Sequence, residues 1–276
     1  MPAMPHIFLT LLVLSAYPTP MTNVKPFILL AITLGEIGGA QSFVLGFAKW
    51  LKQEGYPVTI ACGDGTWLEQ IAMQADIPTV RLTHMGRLIR PWRDLRACLE
   101  LHRLFQRLRP DIVHLNSSKM GILGTLVARM SGVPRIVYRI GGWVFLEHLS
   151  PFMRSAYRIM ERWIARLKDV IVCVHPGDTT QAAEQGIIPR EGVCTVPNGI
   201  DLTTFLPSLS SRQEARDFFN ISPHTFGFVT IAGWYPAKDL PHYLEACAHV
   251  HTEEPRAQFF LIGEGMERKK IETARE

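Results

Sequence analysis

A few short stretches of this chain hold residues that could do chemistry. Leu34-Gly-Glu-Ile-Gly-Gly-Ala-Gln-Ser42 follows an apolar run and opens a helical pattern. Free amides at a helix start, with the positive end of the helix dipole, seat an anion. Gly38 and Gly39 can take positive φ and let a ligand approach the backbone. A ligand-free strand-to-helix turn would use the same residues. Asn116-Ser117-Ser118-Lys119 also ends a strand and begins a helix. Ser117, Ser118 and Lys119 could contact a polar ligand or phosphate, and one of Asn116, Ser117 and Ser118 could instead cap the helix. Gly141-Gly142-Trp143 offers two bare backbone positions and an indole, which could stack on a ring or pack in the core. Lys238 stands at a helix start and, taken alone, is a solvated cation. His114 has apolar strand neighbours, so a buried, hydrogen-bonded imidazole is expected there rather than a base.

Other chemistry is excluded or weak. Cysteines at 62, 98, 173, 194 and 247 are odd in number, with no CxxC or Cys/His ligand spacing. They read as small buried hydrophobes in a reducing compartment, with no metal site. A net charge of +4 does not by itself indicate nucleic acid, and no recognition module for it is visible. The first glycine turn lacks GxGxxG, so Gly263-Glu264-Gly265 is weak support for a nicotinamide-dependent oxidoreductase. Arginines cluster at 87, 90, 93, 96, 103, 107 and 109, and again at 154, 158, 162 and 166 with Lys168. Each cluster is either a solvated helix face, with Trp163 of the second in the core, or a basic amphipathic face for anionic lipid.

The elements that must position these residues follow from periodicity. Apolar strand-like runs at 27–34, 57–62, 79–82, 112–115, 135–140, 170–174 and 193–196 alternate with helical patterns. Nearly all-apolar strands separated by helices predict a parallel sheet covered on both faces, with ligands at the carboxyl ends of its strands. Between 87 and 109, Leu95, Leu99, Leu101, Leu104, Phe105 and Leu108 form the expected apolar side. Asn198-Gly199-Ile200-Asp201 is a turn, and a Pro/Ser/Thr-rich linker follows. Strands at 226–232 and 258–262 begin a second α/β unit. About 75 residues with two strands do not close a doubly wound sheet, so that unit reads as incomplete. Ile7–Ala16 is apolar but too short to span a bilayer, and no Lys or Arg precedes it. Residues 1–25 therefore read as an extension, with Met21 a plausible natural start and a weak anchor as the alternative.

Taken in order, these motifs resemble the GT-B glycosyltransferases of family 4, of the bacterial polysaccharide type that uses lipid-linked saccharides. The residues that carry the resemblance are Gly38-Gly39, Pro110 to Lys119, Gly132 to Tyr138 leading into Gly141-Gly142-Trp143, Val196 to Asp201, Tyr235 to Lys238, and Leu261 to Gly265. It covers residues 26–276. It implies an α/β fold of GT-B type: an N-terminal acceptor-side domain, 26–201, with a doubly wound parallel sheet, and the start of a Rossmann-like donor domain, 202–276. The implied reaction moves a sugar, with retention, from a nucleotide diphosphate sugar to a saccharide or lipid-linked acceptor. It needs no metal and no cofactor beyond the donor. Gly38, Gly39 and Lys238 match the diphosphate-binding positions. Asn116, Ser117, Ser118, Lys119, Gly141, Gly142 and Trp143 fall at the acceptor side or cleft, and Asn198, Gly199 and Asp201 form the interdomain motif. A cytoplasmic protein, peripheral at the inner face of the membrane, is implied.

The chain departs from the family pattern in places. Gly141 stands where many relatives carry a histidine near the transferred sugar, Trp234 near an expected arginine, and Asp239 at an expected glycine. The Glu-seven-Glu donor motif is not present before Glu276. No residue can be named as catalytic. A non-catalytic remnant or binding subunit is the competing reading.

Overall fold

The computed structural model describes residues 25–147, 149–199 and 209–275. The expectations for residues 1–24, Asp201 and most of the linker lie outside them. The chain divides into two compact units after Gly199.

The first unit alternates strand and helix. Its elements are β1 (Ile28–Leu34), α1 (Gly39–Gln53), β2 (Val58–Asp64), α2 (Trp67–Gln74), β3 (Thr79–Arg81), α3 (Pro91–Leu108), β4 (Ile112–Asn116) and α4 (Ser118–Met130). Then come β5 (Arg135–Ile140), α5 (Pro151–Ala165), β6 (Val170–Cys173), α6 (Pro176–Glu184) and β7 (Gly192–Thr195). The strands form one seven-stranded sheet in the order β3-β2-β1-β4-β5-β6-β7, every neighbour parallel. This is the doubly wound parallel sheet that the apolar runs predict. Successive strand side chains point to opposite faces. In β1, Leu29 and Ala31 pack with Leu101, Phe105 and Met120, while Ile28, Leu30 and Ile32 pack with Val44, Leu51 and Leu68. Both faces are therefore core.

The apolar face expected of one helix is corrected, and the alternatives left open for another are decided. In α3, Leu95 and Leu99 face solvent, and the buried side is Asp94, Ala97, Leu101, Leu104 and Phe105. Leu99 is two residues from Leu101, about 200° around the helix, so both cannot face the sheet. In α5, Trp163 is exposed rather than in the core. Lys168 is no part of a basic surface: it lies in the turn after the helix, fully buried, with Nζ 2.9 Å from Glu161 Oε2 and 3.8 Å over the Tyr138 ring. Burial pulls its pKa down, and the Glu161 carboxylate opposes that shift.

The second unit holds α7 (Leu209–Phe218), β8 (Phe226–Ile231), a 3-10 turn at Pro236–Lys238, α8 (Leu240–Glu253), β9 (Ala257–Ile262) and α9 (Arg268–Arg275). β8 and β9 are parallel, with Phe226 opposite Ala257 and Ile231 opposite Ile262. A Cβ on Gly265 would lie 2.3 Å from the Trp234 carbonyl oxygen. The 263–265 turn therefore rests on the backbone after β8, and only glycine fits. Trp234 serves this packing: its amide donates to the Glu264 carbonyl at 2.9 Å and its own carbonyl accepts from Glu267 at 3.1 Å.

Candidate functional site

Successive strands are added to one side of β1 as far as β3 and to its other side from β4 onward, so the winding of the sheet reverses between β1 and β4, which are parallel hydrogen-bonded neighbours. Beyond the carboxyl ends of two such strands the loops splay apart and leave a crevice. Gly38 follows β1, and Ser117 follows β4. Gly39, Ala40 and Gln41 from one side, and Ser117, Ser118 and Lys119 from the other, line a single cavity of about 770 Å³. Arg87, Ile89 and Asp94 form part of its rim, and Tyr157 and Met160 of α5 close another side.

The glycines work differently from the expectation. Gly38 has φ 176, an extended conformation open to any residue, and Gly39 is the first residue of α1 with no positive φ. A Cβ at Gly38 would lie 2.7 Å from Gln41 Oε1, so a side chain there would push the Gln41 amide aside. Gln41 is itself buried and donates from Nε2 to the Leu34 carbonyl at 3.1 Å, which holds the loop to the strand end. Around Gly39 a Cβ would meet nothing within 4 Å. The backbone there is bare toward the cavity.

Neither helix facing the cavity is capped by a side chain. Gly38 and Ser117 occupy the N-cap positions of α1 and α4 without a side-chain cap bond, and neither first turn carries an acidic residue. Their first amides and dipole ends are left to face an anion. The expected cap from Asn116, Ser117 or Ser118 is thus not made. Ser117 instead holds φ 77 and ψ 151, a region nearly reserved for glycine. Its hydroxyl lies 2.6 Å from Thr33 Oγ1 and accepts from the Thr33 amide at 3.3 Å, tying the two strand ends together.

The remaining candidates separate. Asn116 is fully buried, and its Nδ2 lies 3.1 Å from His114 Nδ1, so it supports the strand and cannot reach a ligand. Lys119 is bound already: its ammonium donates to the carbonyls of Gly86 at 2.8 Å and Leu88 at 2.7 Å and pairs with Asp94 at 2.6 Å. It braces the rim rather than offering a free charge. Trp143 is core, not a stacking platform: it is buried, stacks on Phe145 at 5.4 Å and donates from Nε1 to the Asp178 carbonyl at 2.8 Å. Gly141 and Gly142 are exposed, and a Cβ at either would meet nothing within 4 Å. Asn198 accepts from Arg139 Nη2 at 2.6 Å, and Gly199 is exposed. Lys238, in the second unit, is exposed, and Asp239 after it takes φ 49, the left-handed geometry that suits the expected glycine.

His114 is buried among aromatic rings, 5.3 Å from Phe47 and 6.3 Å from Phe43. Burial, helped by the nearby Arg139 charge, lowers its pKa to about 3. It is neutral at physiological pH and cut off from the cavity, as its apolar neighbours suggested. Arg139 escaped the sequence reading because it sits in a strand that looks apolar. Its guanidinium lies 3.8 Å over Phe43 of α1, and burial lowers its pKa to about 10. Burial raises the Cys62 and Cys173 thiols to about 11, which keeps them protonated. Among the described residues, no cluster of His, Cys, Asp or Glu could hold a metal ion, and no helix is long and apolar enough to cross a membrane.

Known proteins resemble this chain over most of its length. An Escherichia coli UDP-Gal:alpha-D-GlcNAc-diphosphoundecaprenol alpha-1,3-galactosyltransferase is 24% identical over 235 residues, 83% of this chain and 59% of that enzyme. The O-antigen biosynthesis glycosyltransferase WbnH of Escherichia coli is 25% identical over 234 residues, 85% of this chain and 62% of its own. The chain therefore spans about three-fifths of the length of these relatives. The crystal structure of Anabaena Alr3699/HepE in complex with UDP and glucose aligns with a TM-score of 0.72 at 17% identity, over 91% of this chain and 65% of that one, so the fold is shared. The profile described as glycosyl transferase 4-like domain matches residues 38–199, more than half of the sequence. The chain belongs to the glycosyl transferase 4-like family.

Proposed function

We propose that this chain provides the acceptor-side domain and the first part of the donor-side domain of a glycosyltransferase. The reaction moves a sugar from a nucleotide diphosphate sugar to a saccharide or lipid-linked saccharide in cell-surface polysaccharide synthesis. The observation that carries this reading is the pair of uncapped helix N-termini, α1 with the bare Gly39 and α4, on one cavity. As the bond from the sugar to the diphosphate breaks, negative charge grows on the diphosphate, and preorganised amides stabilise that charge more than they stabilise the bound substrate. Gly38 and Gly39 of the first unit, and Lys238 of the second, are the candidate diphosphate-binding residues in this reading. The acceptor oxygen forms the new glycosidic bond as the sugar–diphosphate bond breaks, and its proton passes to the departing diphosphate. Retention at the anomeric carbon is part of the proposal, and the donor brings the leaving group, so no further cofactor is drawn on. The two arginine-rich helices, with exposed Trp92 on α3 and Trp163 on α5, support peripheral contact with the inner face of the cytoplasmic membrane.

The test is transfer of labelled sugar from a panel of UDP-sugars to diphospholipid-linked saccharides, with the product anomer read by NMR. Transfer with retention is the expected result. Neither binding nor turnover of any nucleotide sugar would sink the reading.

A further inference from the structure

The rim of the cavity places hydrocarbon where a protein surface ordinarily places charge. Leu88, Trp92 and Leu95 are 61%, 81% and 53% exposed, and Ile89 and Leu99 are exposed as well. On α3, Trp92, Leu95 and Leu99 recur at three- and four-residue steps and share one face. That face is opposite the buried Ala97 and Leu101. Exposed Arg90 and Arg96 interleave with the apolar side chains. The acidic residue within this stretch, Asp94, is buried and paired with Lys119. The exposed charges of residues 86–99 are therefore all arginine.

The stripe is continuous with the candidate site, because Ile89 and Arg87 line the cavity. It is also braced. Lys119 holds the carbonyls of Gly86 and Leu88 as well as Asp94, and Arg93 donates to Asp64 Oδ1 at 2.6 Å. A fixed apolar track with guanidinium groups at its edge, leading out of the cavity, matches a ligand whose anionic phosphate is joined directly to a hydrocarbon chain. The guanidinium fork suits phosphate oxygens, and the track covers the chain that follows.

We propose that the outward face of residues 88–99 is the subsite for the phosphate-bearing hydrocarbon of a lipid-linked acceptor, and that it delivers the attached saccharide into the cavity. The proposal rests on the glycosyltransferase reading for its saccharide and on residues 88–99 for its lipid.

Equilibrium dialysis of the full chain with farnesyl diphosphate, inorganic diphosphate and farnesol, all below micelle formation, tests the subsite without turnover. Farnesyl diphosphate is expected to bind about tenfold or more tightly than either component. The surface variants Trp92→Ser/Leu95→Ser and Arg90→Gln/Arg96→Gln should each remove most of that advantage at an unchanged melting temperature. Trp163→Ser on α5 should retain it. Equal binding of farnesyl and inorganic diphosphate, or an equal loss with Trp163→Ser, overturns the proposal. So does association confined to phosphatidylglycerol vesicles, which would mark a plain bilayer contact. Farnesyl diphosphate binding as expected in a protein that binds no nucleotide sugar would leave the subsite standing and remove the glycosyltransferase reading.

Discussion

Gly39 and His114 show how single positions divide ligand chemistry from stability. At Gly39 the space around the missing Cβ is open and the backbone is helical. Valine and glycine differ by only about 0.5 kcal/mol in helix preference, so Gly39→Val should leave the melting temperature within about 3 °C of wild type. The added methyls would fill the space in front of the first amides of α1. Affinity for a UDP-sugar should fall about tenfold or more, read by calorimetry. Unchanged affinity would remove the diphosphate from this loop. His114 acts through pH instead. Its folded pKa of about 3 lies below the ordinary histidine value of 6.5. Below 6.5 the unfolded chain takes up the proton and the folded one does not. Stability is therefore undiminished above 6.5 and falls by up to about 1.4 kcal/mol per pH unit between 6.5 and 3. Urea midpoints measured across that window should fall less steeply for His114→Gln, and a pH–rate profile should show no ionisation from this residue. The burial of His114 was legible from its strand neighbours. Trp143 was not, because an indole after two glycines suits a pocket wall as well as a core, and only the Asp178 carbonyl decides between them.

At the scale of elements, the Lys119–Asp94 pair joins the start of α4 to α3 and to the loop before it. Removing the cation would strand a buried carboxylate and release two carbonyls. Lys119→Met should cost on the order of 3 kcal/mol in chemical denaturation. The double variant Lys119→Met/Asp94→Leu should recover much of it, because no buried charge is left unpaired. If the single variant proves as stable as wild type, the brace has no structural part. Existence and order of the elements could be read from sequence, since fully buried parallel strands are almost unbroken apolar runs between glycine and proline breaks. The orientation of α3 could not. Its leucines lie all around the helix, and its inward face is set by an aspartate whose lysine partner is 25 residues further along. The apolar face left over after that correction is the proposed lipid track.

Over the whole chain, stabilising contacts are unevenly shared. The first unit contains the seven-stranded sheet and both core clusters. In the second, the buried apolar side chains among the described residues are Leu240, Cys247, Ala257 and Ile271, while Phe226, Phe228, Val229 and Ile231 of β8 are exposed. Residues 25–199 made alone should melt in one cooperative transition by circular dichroism, and residues 200–276 made alone should not. A sharp transition for the shorter piece would contradict this distribution. Sequence pattern gave the strands of the first sheet but not their order, because parallel neighbours are chosen by crossovers and not by any local signal.

Arg139 has a mechanical consequence. Its guanidinium grips Asn198 at one end of the first unit and lies flat on Phe43 of the helix that carries Gly39. Residue 198 is thus tied to the helix that carries Gly39 through one planar strut. A lysine in its place would keep the charge but turn the strut into a slack cord.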